Sequence, residues 1–219
     1  MEIKKFWKLY PKTNRKNISA SRVKLSKKKK LSLQKFGKEY FDGKRIYGYG
    51  GYYYNKKYFC KIAELLIKHY KLNNNSKILD IGCAKGFLMH DIKSLLPGAK
   101  VLGIDISKYC KIHALPDQKK NITIGSCSKL PFKDNYFDLV ISISTIHNLN
   151  KTGIKKSINE INRVSKGKSF IRIKAHTNKS EKKYIDDWNI VAKSNLSQKE
   201  WLSLFKKLNY TGDYDFSKF

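Results

Sequence analysis

The feature that most limits the fold of this chain is the segment DIGCAKG, residues 80–86, which stands between an apolar run and an amphipathic one. The run KILDI is short and apolar, as a buried strand is, and GFLMHDIKSLL has helical periodicity. Glycines after a strand and at a helix start let the chain turn sharply and let a ligand approach the backbone. The segment therefore predicts a nucleotide-binding strand, loop and helix, with Asp80 at the carboxyl end of the first strand.

A second acid supports this interpretation by its spacing. Asp105 ends the apolar run VLGID and follows Gly86 by 19 residues. An acid about 20 residues beyond the glycine loop accepts hydrogen bonds from a ribose hydroxyl in nucleotide-binding folds. The two acids together predict an adenosine-type ligand, whereas either one alone would suit a helix cap or an exposed carboxylate. Three residues separate Gly82 from Gly86, so the dinucleotide fingerprint Gly-x-Gly-x-x-Gly is not matched.

Beyond this unit, strand-like and helix-like segments alternate along the chain. The predicted helices cover residues 57–70, 86–96, 108–113, 151–164, 181–192 and 198–208. The predicted strands are KILDI, VLGIDI, NITI, FDLVISI and SFIRIK, and the final NYTGDYDFSKF could return an edge strand. Such alternation predicts a mostly parallel sheet covered by helices on both faces.

From Asp80 onward the sequence resembles the class I S-adenosylmethionine-dependent methyltransferases. Their first motif is an acid followed by glycines at alternate positions, and the likeness continues through ITIGSCSKLPFKDNYFDLVISISTIHNL, starting at Ile122. With the flanking GYGGY and TGDYDF segments, it covers about residues 36–219. The chain departs from the family at Ala84, where glycine is common, and at Ser126, where an acid usually bonds the adenine amino group. The resemblance implies a Rossmann-like α/β fold with a mostly parallel seven-stranded sheet and S-adenosyl-L-methionine as cofactor.

The resemblance also assigns roles to residues of this chain. The methionine part of the cofactor is expected near Asp80, Gly82 and Gly86, and the ribose near Asp105. A hydroxyl or the backbone at Ser126 would replace the missing acid. The cofactor-binding residues implied are Asp80, Gly82, Cys83, Gly86, Asp105, Ile106, Ser126, Cys127, Ser142 and Ser144, of which Ile106, Ser126 and Cys127 would contact the adenine.

Two features suggest how an acceptor would be held. His147 follows the fourth strand, and its ordinary pKa of about 6.5 suits a general base, although a histidine there could instead pack over the adenosine. Glycines and tyrosines alternate before residue 55, which predicts an ordered loop that either covers the site or packs on the domain's own surface. The expected substrate or lid residues are Tyr47, Tyr49, Gly50, Gly51 and Tyr52.

Composition divides the 219 residues into a basic arm and one domain. Residues 1–38 contain 14 Lys or Arg and a single acid, Glu2, which predicts an arm that is either mobile or a short helix lying on the domain. With the resemblance, residues 39–219 are expected to form the methyltransferase domain, with 39–56 as a Gly/Tyr-rich loop over the site. The formal charge of +30 would attract a polyanion such as nucleic acid, but lysine could equally be filling ordinary solvated positions.

The remaining composition narrows the functional classes. The four cysteines fall singly, which predicts reduced thiols and no metal site. There is no apolar stretch of about 18 residues, and a cytoplasmic location is expected.

The leading hypothesis is methyl transfer to an oxygen or nitrogen of a small or sugar-like metabolite. The alternatives are an RNA methyltransferase whose arm binds phosphates and a non-catalytic binding module. The oligomeric state stays open.

Overall fold

The computed structural model describes residue 6 and residues 16–217, and these form a six-stranded sheet in which all neighbouring strands are parallel. The strand order is β3-β2-β1-β4-β5-β6. Ligands bind where such an order reverses, here at the carboxyl ends of β1 and β4. The strands are β1 (Lys77–Ile81), β2 (Lys100–Asp105), β3 (Ile122–Ile124), β4 (Leu139–Ile143), β5 (Ser169–Lys174) and β6 (Asp213–Ser217).

The sheet confirms the predicted α/β fold but corrects the strand number from seven to six within the described residues. After β5 the chain forms two helices, and only the segment from Asp213 to Ser217 then remains to pair with the sheet. That segment lies parallel to β5 as the edge strand.

Nine α-helices are present in the described part of the chain. The predicted helix over residues 181–192 ends early, because Ile190 and Val191 turn away to pack against Leu33. The helices are α1 (Lys16–Val23), α2 (Lys27–Leu33), α3 (Lys38–Asp42), α4 (Lys56–Tyr70), α5 (Phe87–Leu95), α6 (Lys108–Ile112), α7 (Lys151–Val164), α8 (Lys179–Trp188) and α9 (Gln198–Lys207).

Apolar residues on both faces of the central strands hold the layers together. Within β4, Leu139 and Ile141 pack toward α4 and α5, whereas Val140 packs toward α7 and α9. Successive side chains of a strand point to opposite faces, so a strand that is covered on both sides is apolar throughout. This explains why KILDI and DLVISI lack the alternation typical of a half-exposed strand.

The N-terminal part of the chain, where it is described, packs on the domain through α1 and α2. Leu33 and the Arg22 side chain are both buried. Of the two alternatives for the basic arm, a helix lying on the domain is what residues 16–33 show. The rest of that arm, residues 1–5 and 7–15, lies outside the described residues, as do residues 218 and 219. Every helix that the structure describes falls short of the length and apolar character needed to span a bilayer.

Candidate active site

The loop that joins β1 to α5 has the backbone shape that the glycine motif predicts. Gly82 has a φ of +75°, and a Cβ there would lie 2.0 Å from Thr145 Oγ1. Gly86 also has a positive φ and stands just before α5. Ala84, the residue that departs from the family pattern, has a φ of +49° and so adopts a glycine-like conformation at a backbone cost. Glycine is therefore required at residue 82, while alanine is accommodated two residues later.

Asp105 is fixed by backbone donors on both sides. Its Oδ2 accepts the Ala84 N–H at 2.8 Å, and its Oδ1 accepts the Ser107 N–H at 2.7 Å. Burial raises the pKa of this carboxyl, and the same backbone hydrogen bonds oppose that shift. Each carboxylate oxygen can accept a second hydrogen bond, which suits a ribose hydroxyl. Beside it, Ile106 is 61% exposed and offers an apolar surface to a flat base.

Asp80 lies at the end of β1 against a cavity of about 370 Å³. Its side chain is buried, and this burial, together with the nearby Asp105 charge, raises its pKa to about 7. An ammonium or sulfonium cation placed in the cavity would stabilise the ionised carboxylate. Asp80 is thus poised to bind a cationic group.

The structure brings only some of the predicted cofactor residues to this cavity. Asp80, Gly82, Cys83 and Ser144 line it. The others, which are not part of its lining, are Gly86, Asp105, Ile106, Ser126, Cys127 and Ser142. Several of these stand at the carboxyl ends of β2 and β3 instead, on the side of the loop where the resemblance places the adenosine.

The residues predicted to contact adenine are partly committed to neighbours. The Ser126 hydroxyl lies 2.7 Å from the Ser128 hydroxyl and accepts the Ser128 N–H. The Cys127 thiol accepts a hydrogen bond from Ser157 and packs toward the core beneath α7. Contacts to an adenine would therefore come from the Ser126 hydroxyl or from backbone atoms here.

These residues fit S-adenosylmethionine. The cofactor carries two cationic groups, a ribose and a flat purine, and the site presents the Asp80 carboxylate, the backbone-held Asp105 and the exposed Ile106. The Ser142 hydroxyl is buried without a hydrogen-bond partner among the described residues, at the end of β4 beside this region. No cluster of three or more metal-binding side chains occurs in the described chain.

A buried ion pair joins the glycine loop to the Gly/Tyr-rich segment. Lys85 Nζ donates to both carboxylate oxygens of Asp42, at 3.0 and 2.7 Å, and to the Tyr52 carbonyl at 2.9 Å. Asp42 also accepts the Tyr52 N–H and the Tyr109 hydroxyl. Burial alone would raise the pKa of Asp42, but the hydrogen bonds from Lys85, Tyr109 and the backbone lower it. We call this set, Asp42, Lys85, Tyr52 and Tyr109, the clasp.

The Gly/Tyr-rich segment is an ordered cover whose aromatic rings contact one another. Tyr52 lies 4.7 Å from the Phe87 ring of α5 and 4.4 Å from the Tyr49 ring. Tyr49, Gly51 and Tyr52, which are among the expected substrate or lid residues, line the cavity. Tyr47 and Gly50 are not part of that lining, and the ring of Tyr47 lies under the Lys29 ammonium instead. Beneath α3, the fully buried Cys110 packs with Phe41 and Ala84.

Arg22 of α1 fixes the other end of this cover. Its guanidinium donates to the carbonyls of Gly48 at 2.7 Å and Trp188 at 2.8 Å, and also to those of residues 45 and 46. The same group lies 4.1 Å from the centre of the Trp188 ring. One arginine therefore ties α1, the Gly/Tyr-rich segment and the end of α8 into one wall of the cavity.

His147 lines the cavity at the end of β4, but its environment makes it a weak base. Burial, with the charges of Lys174 and Arg172 nearby, lowers its pKa to about 3. Its Nδ1 is buried without a hydrogen-bond partner among the described residues. A neutral imidazole of this kind can accept or donate a hydrogen bond to a ligand, whereas protonating it between two cations is unfavourable. The general-base role stays a prediction that these charges disfavour.

Several cavity residues carry no signal in the motifs of the sequence. They come together only through the fold, and they are Arg22, Arg45, Arg172, Lys174 and Trp188. Lys85 lies inside the glycine loop of the motif, and in the structure it is buried, where a charged side chain requires an acid close by.

Comparisons with known proteins agree with this geometry. Residues 79–173 match a family described as "Methyltransferase domain". The chain is 34% identical over 126 residues to sterol 4-C-methyltransferase strm-1 of Caenorhabditis elegans, covering 53% of this chain and 35% of that protein. It is 26% identical over 157 residues to the tRNA (carboxymethyluridine(34)-5-O)-methyltransferase of Arabidopsis thaliana, covering 66% of this chain and 38% of that protein.

The structural comparisons support the fold. The crystal structure of the YcgJ protein of Bacillus subtilis matches with a TM-score of 0.53 and 19% identity, over 67% of this chain and 66% of that one. The chain spans less than half the length of the two curated relatives named above. The part that matches the family, residues 79–173, contains the glycine loop, Asp105, β4 and all of β5 except Lys174.

Proposed function

We propose that this chain, a member of the class I S-adenosylmethionine-dependent methyltransferase superfamily, transfers a methyl group to an oxygen or nitrogen of a small or sugar-like metabolite. The observation that carries the proposal is the pairing of Asp80 and Asp105, which stand at the ends of neighbouring strands and share one glycine loop. Asp80 faces the cavity, and Asp105, which two backbone N–H groups hold, is the acid that we expect to bind the ribose. The cover over the cavity supports a small acceptor rather than an open surface.

When bound, S-adenosylmethionine supplies an electrophilic methyl group, so that the acceptor's lone pair forms the new bond while the carbon–sulfur bond breaks and its electrons stay on sulfur. The residues of the chain have to align the acceptor and exclude water. Tyr49 and Tyr52 cover the cavity, and the clasp holds that cover closed. His147 can hydrogen-bond an acceptor hydroxyl or amine. A methylated amine can keep its proton as an ammonium, whereas a hydroxyl has to give its proton to solvent before the cover closes.

The proposal is tested by calorimetric titration with S-adenosylmethionine and S-adenosylhomocysteine, using NAD as the control. We expect micromolar binding of the first two alone. The Asp105→Ala variant should bind at least about tenfold more weakly, ~1.4 kcal/mol, because the ribose contact is lost. Asp134→Asn, at an exposed acid far along the chain, serves as the matched control. If the chain binds none of these ligands, a non-catalytic module becomes the better interpretation.

A second candidate function is RNA methylation, and the basic surface of the N-terminal helices favours it. Lys24, Lys27, Lys28, Lys35 and Lys38 are exposed on or beside α1, α2 and α3. Removing residues 1–38 would also remove the buried Leu33 and Arg22, so charge reversal is the better test. If RNA is the substrate, Lys27→Glu with Lys28→Glu should weaken RNA binding and reduce its salt dependence. Binding that does not change would remove this candidate.

A further inference from the structure

The segment between residues 16 and 38 is more basic than the rest of the domain. It contains nine Lys or Arg among 23 residues and no acid, whereas residues 39–219 contain 33 among 181 together with 16 acids. The general preference of the chain for lysine therefore does not account for this segment. An excess of one charge that is confined to one segment indicates a surface for a partner of opposite charge.

Helix α2 presents part of this charge on one face. Lys27, Lys28 and Leu31 are exposed, and their spacing of three and four residues places them on the same side of the helix. The other side faces the domain, because Leu33 is buried in a cluster with Ile190. We call the exposed side, formed by Lys27, Lys28 and Leu31, the outer face of α2. None of its residues lines the cavity.

The lysines of the outer face are not neutralised by neighbouring acids. Four lysines on or beside it form no ion pair within the described residues, and they are Lys24, Lys27, Lys28 and Lys35. On α8, by contrast, Lys182 and Lys183 each pair with an acid four residues later. The positive charge of the outer face is therefore available to a partner that approaches from solvent.

Aliphatic side chains are exposed among these lysines. Leu31 is 53% exposed, and Val23, at the end of α1, is 49% exposed. The one aromatic residue between residues 16 and 38 is Phe36, which is half-buried against Tyr40. Single-stranded RNA is held by stacking on exposed aromatic rings, whereas leucine beside lysine suits the boundary between lipid headgroups and acyl chains. The surface therefore fits an anionic bilayer better than RNA.

We propose that the outer face of α2 docks this protein on a membrane surface that contains anionic lipids. The lipid headgroups attract Lys27 and Lys28, and Leu31 enters the headgroup region. Helix α2 contacts the cover over the cavity through the ion pair between Lys29 and Glu39, so docking holds the cover close to the lipid surface. The inference goes beyond the proposed function and does not depend on methyl transfer.

Co-sedimentation of the full chain with lipid vesicles tests the inference. Vesicles of phosphatidylcholine alone are compared with vesicles that also contain about 30% phosphatidylserine, at about 150 mM salt, where distant charges are screened. We expect binding to the anionic vesicles to be at least about tenfold tighter. Equal binding to the two kinds of vesicle, or binding to neither, would overturn the inference.

Paired substitutions then locate the surface, because a protein with a formal charge of +30 could bind anionic vesicles through any lysine. Lys27→Gln with Lys28→Gln should weaken binding to the anionic vesicles about tenfold or more. Lys206→Gln with Lys207→Gln removes the same charge from two exposed positions at the end of α9 and should have a much smaller effect. Equal losses in the two double variants would show attraction without a defined surface and contradict the proposal.

Leu31 distinguishes a bilayer from RNA as the partner. Leu31→Ser keeps every charge, so it should weaken vesicle binding about fivefold and leave the binding of a single-stranded RNA oligonucleotide unchanged. Leu95→Ser, at another exposed leucine at the end of α5, is the matched control and should change neither. Vesicle binding by Leu31→Ser that equals the wild type would contradict the proposal. Tight binding of the wild-type chain to the RNA but not to the vesicles would favour the RNA candidate instead.

Discussion

At the scale of single residues, the site depends on buried carboxyl groups and on one backbone conformation. Asp80 and Asp105 could be predicted because they belong to a local motif with fixed spacing. Arg22 and Lys174 could not, because their contacts are made across the fold. One signal was available: arginine occurs only five times in this lysine-rich chain, at residues 15, 22, 45, 163 and 172. Among those described, each makes defined contacts that the planar guanidinium suits better than an ammonium.

The pKa of Asp80 predicts a pH dependence of stability. Because its folded pKa is about 7 and its ordinary value is 3.8, the folded state binds the extra proton. Its destabilising contribution is absent below about pH 4, grows as pH rises and is complete above about pH 7, on the order of 4 kcal/mol. Asp80→Asn should therefore gain stability over the wild type between pH 4 and 7, measured by urea unfolding at each pH. A constant difference across this range would contradict the prediction.

Two glycines with positive φ, Gly82 and Gly167, are expected to differ in how much stability their replacement by alanine costs. Gly82→Ala should destabilise the fold by about 2–5 kcal/mol, because left-handed backbone and a clash with Thr145 add together. Gly167→Ala is the matched control: its φ is +104° and nothing lies within 4 Å, so only the backbone cost, about 1–2 kcal/mol, is expected. Thermal unfolding of both variants measures the difference, and equal losses would mean that the Thr145 contact is unimportant.

At the scale of elements, hydrophobic periodicity predicted the strands and most helices because each element buries an apolar face. It did not predict α1, α2 and α3, because helices of 8, 7 and 5 residues are too short to show a clear apolar face. These helices are held by a few long-range contacts, chiefly Arg22, Leu33 and the clasp. Such contacts join residues that are far apart in the chain, so local sequence patterns do not predict them.

The clasp predicts that substitutions at Asp42 and Lys85 have strongly non-additive effects on the free energy of unfolding. Asp42→Asn leaves Lys85 buried without its carboxylate and should cost about 3–5 kcal/mol of unfolding free energy. Lys85→Met in the same chain should recover part of that loss. The Lys166–Asp138 pair is half-exposed, and its disruption should cost about 0–1 kcal/mol, which makes it the control. A double-mutant cycle in urea measures the coupling, and additive losses would show that the two residues act independently.

At the scale of the whole molecule, a formal charge of +30 acts on the folded state through repulsion. The described ion pairs are mostly exposed and weak, so they offset little of it. Charge of one sign destabilises a compact state and is screened by salt. The excess of positive charge therefore reduces stability at low ionic strength.

This repulsion predicts that salt stabilises the protein. The midpoint of thermal unfolding should rise between about 50 and 500 mM sodium chloride, because the Debye length falls to a few ångströms. Glycine betaine, which adds no ionic screening, provides the control. A midpoint that falls with salt would show that attractive ion pairs outweigh the repulsion.

The reactivity of the buried Cys110 thiol can report how often the cover over the cavity opens. It lies beneath α3, and burial raises its pKa, so it is inert toward alkylating reagents while the cover is closed. It reacts only during the moments when residues 36–55 lift away. The rate of modification then equals the intrinsic rate of an exposed thiol multiplied by the fraction of time that the cover is open. The rate of Cys110 modification in the wild-type chain therefore measures opening of the cover without any introduced label.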